Sequence, residues 1–118
     1  MIDPTVIQMV TERAQGYCEV CGKVETPSMA FHHRKLKSRG GKNTVSNLIR
    51  VHHGCHNLDT NSIHSNPNAS QDYGYMVASW QDPEEVPMLC PDETWVILNN
   101  NGSLMKLGEG NGTDNGKR

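Results

Sequence analysis

Cys18-Glu19-Val20-Cys21, then His32-His33, then Asn47, then His52-His53-Gly54-Cys55-His56: these clusters govern how the chain folds. Cys18 with Cys21, and His52 with Cys55, form two pairs of soft ligands, each with two residues between, and together they suit one closed tetrahedral zinc site. His32, His33, Asn47 and His56 are left at fixed intervals with no place in that zinc shell. Leftover imidazoles and an amide beside a structural metal are the makings of a catalytic centre.

The rest of the composition explains why a metal is needed. The chain has 118 residues, 35% of them hydrophobic, with a single Phe. That is one domain by length, with little material for a core. A bound metal contributes folding free energy that burial cannot supply. Two disulfides are the alternative use of four cysteines, but nothing at the N-terminus resembles a signal peptide, and a cytoplasmic protein is expected. The longest strictly apolar run, Trp95 to Leu98, is far too short to cross a membrane, so no membrane association is expected.

A formal net charge of −2 hides an asymmetry. Residues 26–58 contain no Asp or Glu and carry Arg34, Lys35, Lys37, Arg39, Lys42 and Arg50, whereas residues 59–118 hold nine acids against three bases. A lone basic run is usually a solvated loop. One that coincides with the histidines points instead to a polyanion brought to a metal.

Along the chain, Asp3 followed by Pro4 reads as a helix N-cap and first helical residue, with Val6, Ile7, Val10 and Ala14 near helical spacing and Gly16 as the stop. Cys18 to Gly22 is a compact knuckle. Met29 to His33 is a short strand that delivers His32 and His33 to opposite faces. Ser38 to Asn43, with Gly40 and Gly41, is a loop, and Leu48 to Val51 a second strand. A helix starts around Gly54 to Asn57 and carries His56, and Asn66-Pro67-Asn68 reads as a breaker. Tyr75 to Trp80 is strand-like, and Thr94 to Leu98 with Ser103 to Leu107 reads as a hairpin around Asn99 to Gly102. Residues 108–118 have almost nothing to bury and are expected to be disordered. The domain plan is a metal-site domain over residues 1–72, a β-rich extension packed on it over 73–107, and that tail.

Cys-x2-Cys, His-His, a Gly-Gly loop, Asn-Leu, a second ligand pair and a following His together resemble the HNH endonuclease family, over about residues 4–67. The tail from Tyr73 loosely resembles an extension on some small bacterial and phage members. The resemblance implies an α+β fold: a small ββα-metal core braced by a structural zinc, here with an N-terminal helix and a C-terminal β-hairpin extension. It implies that His32 and His56 are ligands of a catalytic divalent ion (Mg2+ or Mn2+), that His33 is the general base, and that Asn47 holds the loop between the strands. Cys18, Cys21, His52 and Cys55 would bind the structural Zn2+, with His52 standing where Cys is common. Members often carry a further metal-binding His one helical turn after the His56 position. Here that position is Thr60, and His64 follows eight residues after His56. On a continuous helix eight residues span about 12 Å, too far to share an ion. His64 joins the site only if residues 57–62 loop out, and is otherwise a surface or capping residue.

Phosphodiester hydrolysis needs an activated water, charge neutralisation on phosphate and a stabilised leaving oxygen. Neighbouring strand histidines cannot easily serve one ion, so one would face the metal and the other the water. DNA is the expected partner, held through phosphates by Arg34, Lys35, Lys37, Arg39 and Lys42, with weak sequence specificity and strong salt sensitivity. An RNA substrate would use the same residues. The rival function is a non-catalytic zinc module that binds nucleic acid or phage packaging proteins such as terminase or portal, which would need the cysteines but not both His32 and His33. His53 is read as a non-ligand, Cys90 as a free semi-buried thiol, and Trp80 and Trp95 as core of the extension rather than base-stacking platforms.

Overall fold

Asp3 starts the first helix, α1 (Pro4–Ala14), by accepting the Thr5 N–H on its carboxylate at 2.8 Å, with Pro4 at the first position. The helix stops where Gln15 enters the left-handed region at φ 55°. Val10 on its inner side packs with Val45 and Leu48, ringed by Ile2, Val6, Met9 and Phe31. The computed structural model describes residues 1–107, so the segment expected to be disordered, 108–118, lies outside the described residues.

Strands β1 (Met29–His33) and β2 (Leu48–His52) pair antiparallel, from Met29 opposite His52 to His33 opposite Leu48. Strand alternation buries His32 and leaves His33 partly open on the other face. The connection closes through the Arg34 N–H, which donates to the Asn47 carbonyl at 2.8 Å.

The α-helix expected after β2 is a single wide π turn, Gly54–Leu58, closed by the Asp59 N–H on the Gly54 carbonyl at 3.0 Å. The chain then loops out and returns. Ile63 N–H takes the Cys55 carbonyl at 2.8 Å and His64 N–H the His56 carbonyl at 3.1 Å, acceptors that Asp59 and Thr60 would satisfy in an α-helix. Turn-forming residues at 59–62 make this return cheap. Pro67, read as a breaker, opens a second helix, α2 (Pro67–Asp72), because proline's missing N–H is harmless at a first helical position.

Residues 75–80 do not form the expected strand. The Val77 N–H donates to the Arg34 carbonyl at 2.8 Å, and Ala78 to Gln81 close a turn on themselves, so these backbone groups have no ladder to join. A three-stranded antiparallel sheet follows, in the order β3 (Met88–Leu89), β4 (Trp95–Leu98), β5 (Leu104–Lys106). β4 and β5 are the anticipated hairpin, turning at Asn99 to Gly102, whereas β3 was not anticipated. Met76, Met88, Val96 and Leu98 share one buried cluster with Cys18, Ile49, Val51 and Ile63, so the second sheet closes over the knuckle and β2. Trp80 and Trp95 are not in it. Trp80 is 82% exposed and Trp95 38%, which corrects their reading as core. Among the described residues, no helix is long and apolar enough to cross a membrane.

Candidate metal centres and active site

The knuckle and the end of β2 bring Cys18, Cys21, His52 and Cys55 together, their ligand atoms all within 4.8 Å of one another. Gly22 turns the knuckle at φ 79°, where a Cβ would stand 2.7 Å from Pro91, so both conformation and space require glycine. His52 Nε2 lies 2.9 Å from the Val24 carbonyl, which must receive its proton, and so the bare Nδ1 faces the sulfurs, 3.3 Å from Cys21 Sγ. Burial first, then the Cys18 and Cys21 sulfurs, push the Cys55 thiol up to about 12. Three sulfurs so crowded cannot share negative charge without a cation among them, and a coordinated thiol deprotonates outright. The donor set fits zinc, and this cluster could hold a structural zinc ion.

A second cluster joins His32 from β1, His56 from the π turn and His64 from the returning strand of chain, again with donor atoms within 4.8 Å. Ring centroids stand 5.1, 5.2 and 4.6 Å apart, and the Nε2 atoms of His56 and His64 are separated by 3.0 Å. Residues 57–62 do loop out, and His64 comes alongside His56 and His32. His32 Nε2 lies 2.7 Å from the Tyr75 carbonyl, which takes its proton, and leaves Nδ1 bare, buried and without a hydrogen-bond partner. A buried polar atom so orphaned calls for an explanation. A cation beside it supplies one. Burial, outweighing the Tyr75 carbonyl and joined by the other imidazoles, lowers the His32 pKa to about 3, so the ring stays neutral and able to donate its lone pair. The trio grades from buried His32 to exposed His64, opening the cluster to solvent.

His33 lies on the other face of β1, outside both clusters. Its Nε2 is 2.7 Å from Asn43 Oδ1, which, as an acceptor, fixes the proton on Nε2 and leaves Nδ1 unprotonated in the neutral ring. Asn47 is buried. Its Oδ1 accepts the Lys35 N–H at 2.7 Å and its Nδ2 donates to the Lys35 and Lys42 carbonyls at 3.0 and 2.9 Å, tying the two ends of the loop. His53 belongs to neither cluster, and Cys90 is a free, half-buried thiol.

The basic run divides. Lys37, Arg39 and Lys42 are exposed, and Lys35 Nζ donates to the Gln81 carbonyl at 3.1 Å. Arg34 is fully buried and cannot meet a phosphate, which corrects its assignment as a DNA contact. Its guanidinium donates to the carbonyls of Gly74, Ser46, Pro83 and Val86 at 2.7, 3.0, 3.1 and 2.7 Å. Burial lowers its pKa to about 10, still high enough to keep the charge at neutrality. Asn43 and the Tyr75 carbonyl escaped the sequence reading: no spacing marks Asn43, and a backbone carbonyl leaves no trace in residue type.

Residues 18–62 match the family model described as HNH endonuclease. No curated protein and no solved structure matches the chain.

Proposed function

We propose, on the match of residues 18–62 to the HNH endonuclease family model, that the chain is a metal-dependent endonuclease that hydrolyses DNA phosphodiesters. The observation that carries this is the pairing of a three-imidazole cluster, whose buried His32 Nδ1 lacks a partner, with a differently facing neighbour, His33, that is outside it. A binding module has no use for that division. His32, His56 and His64 would hold the divalent ion, Mg2+ or Mn2+, while Cys18, Cys21, His52 and Cys55 would hold the zinc. When bound at the imidazoles, the ion supplies positive charge to phosphate and leaving oxygens.

His33 takes the proton of the attacking water on Nδ1, the nitrogen that the Asn43 contact leaves free. Asn47 keeps the loop after β1 closed, so that His33 and Asn43 keep their spacing. Lys37, Arg39 and Lys42 meet the DNA backbone as exposed cations, positioning it without reading sequence.

The test is conversion of supercoiled plasmid to nicked or linear form with Mg2+ or Mn2+, by the zinc-loaded protein and by His33→Ala. Nicking that needs the ion and falls about 100-fold or more in the variant is expected. No nicking by the intact protein with either ion would leave a zinc module that binds without cutting.

A further inference from the structure

A cleft of about 420 Å3 lies beside the loop that Asn47 closes, lined among others by Lys35, Lys42, Ser79, Trp80, Gln81 and Asn100. We propose that this cleft holds an unpaired nucleotide of the DNA strand beside the cut, its base stacked on Trp80 and its phosphates at Lys42 and Lys35. The proposal rests on the nuclease reading and names the form of substrate that suits it.

Its wall includes Asn47 and adjoins the loop that carries Asn43. Lys42 precedes Asn43, whose amide oxygen lies 2.7 Å from His33 Nε2, and both Lys42 and Lys35 give their carbonyls to Asn47. Lys35 Nζ donates to the carbonyl of Gln81, the residue after Trp80, so one lysine ties the loop that Asn47 closes to the backbone beside the indole. Neither lysine is in a salt bridge among the described residues. The two acids of the lining, Asp82 and Glu84, accept backbone N–H groups of Glu84 and Asn100 at 2.9 and 3.0 Å.

The indole selects the strand's state. Trp80 is 82% exposed, in a chain with few aromatics. A flat ring at a cleft rim offers a π face, and only a base whose own face is free can use it. In a paired duplex stacked neighbours cover those faces, whereas a single strand or an extruded base exposes them. The lysines add charge for the flanking phosphates, and the Gln81 and Asn100 amides, whose oxygens take the Ala78 and Ser46 N–H groups at 3.0 and 2.9 Å, keep their NH2 groups to donate to a base edge.

The experiment uses the full zinc-loaded chain with Trp95→Phe, so that Trp80 is the sole tryptophan, and with His33→Ala to prevent turnover. It is titrated with a single-stranded oligonucleotide and with a blunt duplex of the same sequence. Quenching of Trp80 emission by the single strand at lower concentration than by the duplex is expected. Trp80→Ala, read by a labelled oligonucleotide, should weaken single-strand binding about tenfold and duplex binding much less, with Trp80→Tyr restoring it. Silent emission, or equal losses on both nucleic acids, would overturn the proposal. Plasmid nicking by the unaltered chain is read separately. Nicking with silent Trp80 overturns the cleft and leaves the nuclease, and quenching without any nicking supports the cleft and overturns the nuclease.

Discussion

The contact between His33 and Asn43 shows how little local chemistry is needed to orient a base. A neutral imidazole has two tautomers, and the amide oxygen 2.7 Å from Nε2 selects one. Asn43→Leu should therefore lower kcat on the order of tenfold to a hundredfold with KM nearly unchanged, while Asn43→Asp, which keeps an acceptor, retains most of the rate. Nicking velocities over a range of plasmid concentrations separate the two parameters. An equal loss in both variants, or a loss confined to KM, would remove Asn43 from this role. The four donors gathered at the knuckle were legible as two pairs, because Cys-x2-Cys and His-x2-Cys each place two donors together through local geometry. Which nitrogen of His32 or His33 is bare was not, since each depends on an acceptor brought from elsewhere: the Tyr75 carbonyl and the Asn43 amide.

At the scale of elements, the first helix, the strands β1 and β2 and the β4–β5 hairpin follow from capping, alternation and turn residues, all short-range signals. The segments that failed are those whose backbone bonds go to distant partners. Residues 75–80 carry strand-like side chains, but Val77 bonds to Arg34 and the flanking carbonyl of Gly74 is claimed by the same residue's guanidinium. Arg34 was misread for the same reason: a run of basic residues says nothing about which one points inward. Four carbonyls depend on it, from Ser46 and from Gly74, Pro83 and Val86. Arg34→Met fills much of the volume and supplies no donor, so it should cost roughly 2–4 kcal/mol of stability by leaving buried acceptors unsatisfied. Urea denaturation monitored by circular dichroism checks this. A midpoint equal to that of the parent would mean that water serves these carbonyls as well as the guanidinium does. Gly74 belongs to the same joint: it sits at φ 79°, and a Cβ there would run into the Pro87 carbonyl oxygen.

For the whole molecule, the four-donor cluster at the knuckle and the apolar core are one object, because Cys18 belongs to both. Its sulfur is buried against Ile49, Val51 and the second sheet, so losing a ligand opens the core as well as the metal site. Cys21→Ser should lose zinc and unfold, and a chelator should lower the melting temperature of the parent, whereas His33→Ala should keep both zinc content and melting temperature. Metal analysis beside a thermal melt decides it, and a Cys21→Ser chain that melts like the parent with a full complement of zinc would refute the ligand assignment. The His32 contact with Tyr75 also has a consequence in time. Synthesis proceeds from the N-terminus, so His32, His56 and His64 are all made before the carbonyl that orients the first of them, and before the Gly74 and Val86 carbonyls that Arg34 ties. A chain extended only to residue 72 has every imidazole of the trio but lacks the carbonyl that turns His32, so completion of the centre waits on a residue that contributes no ligand.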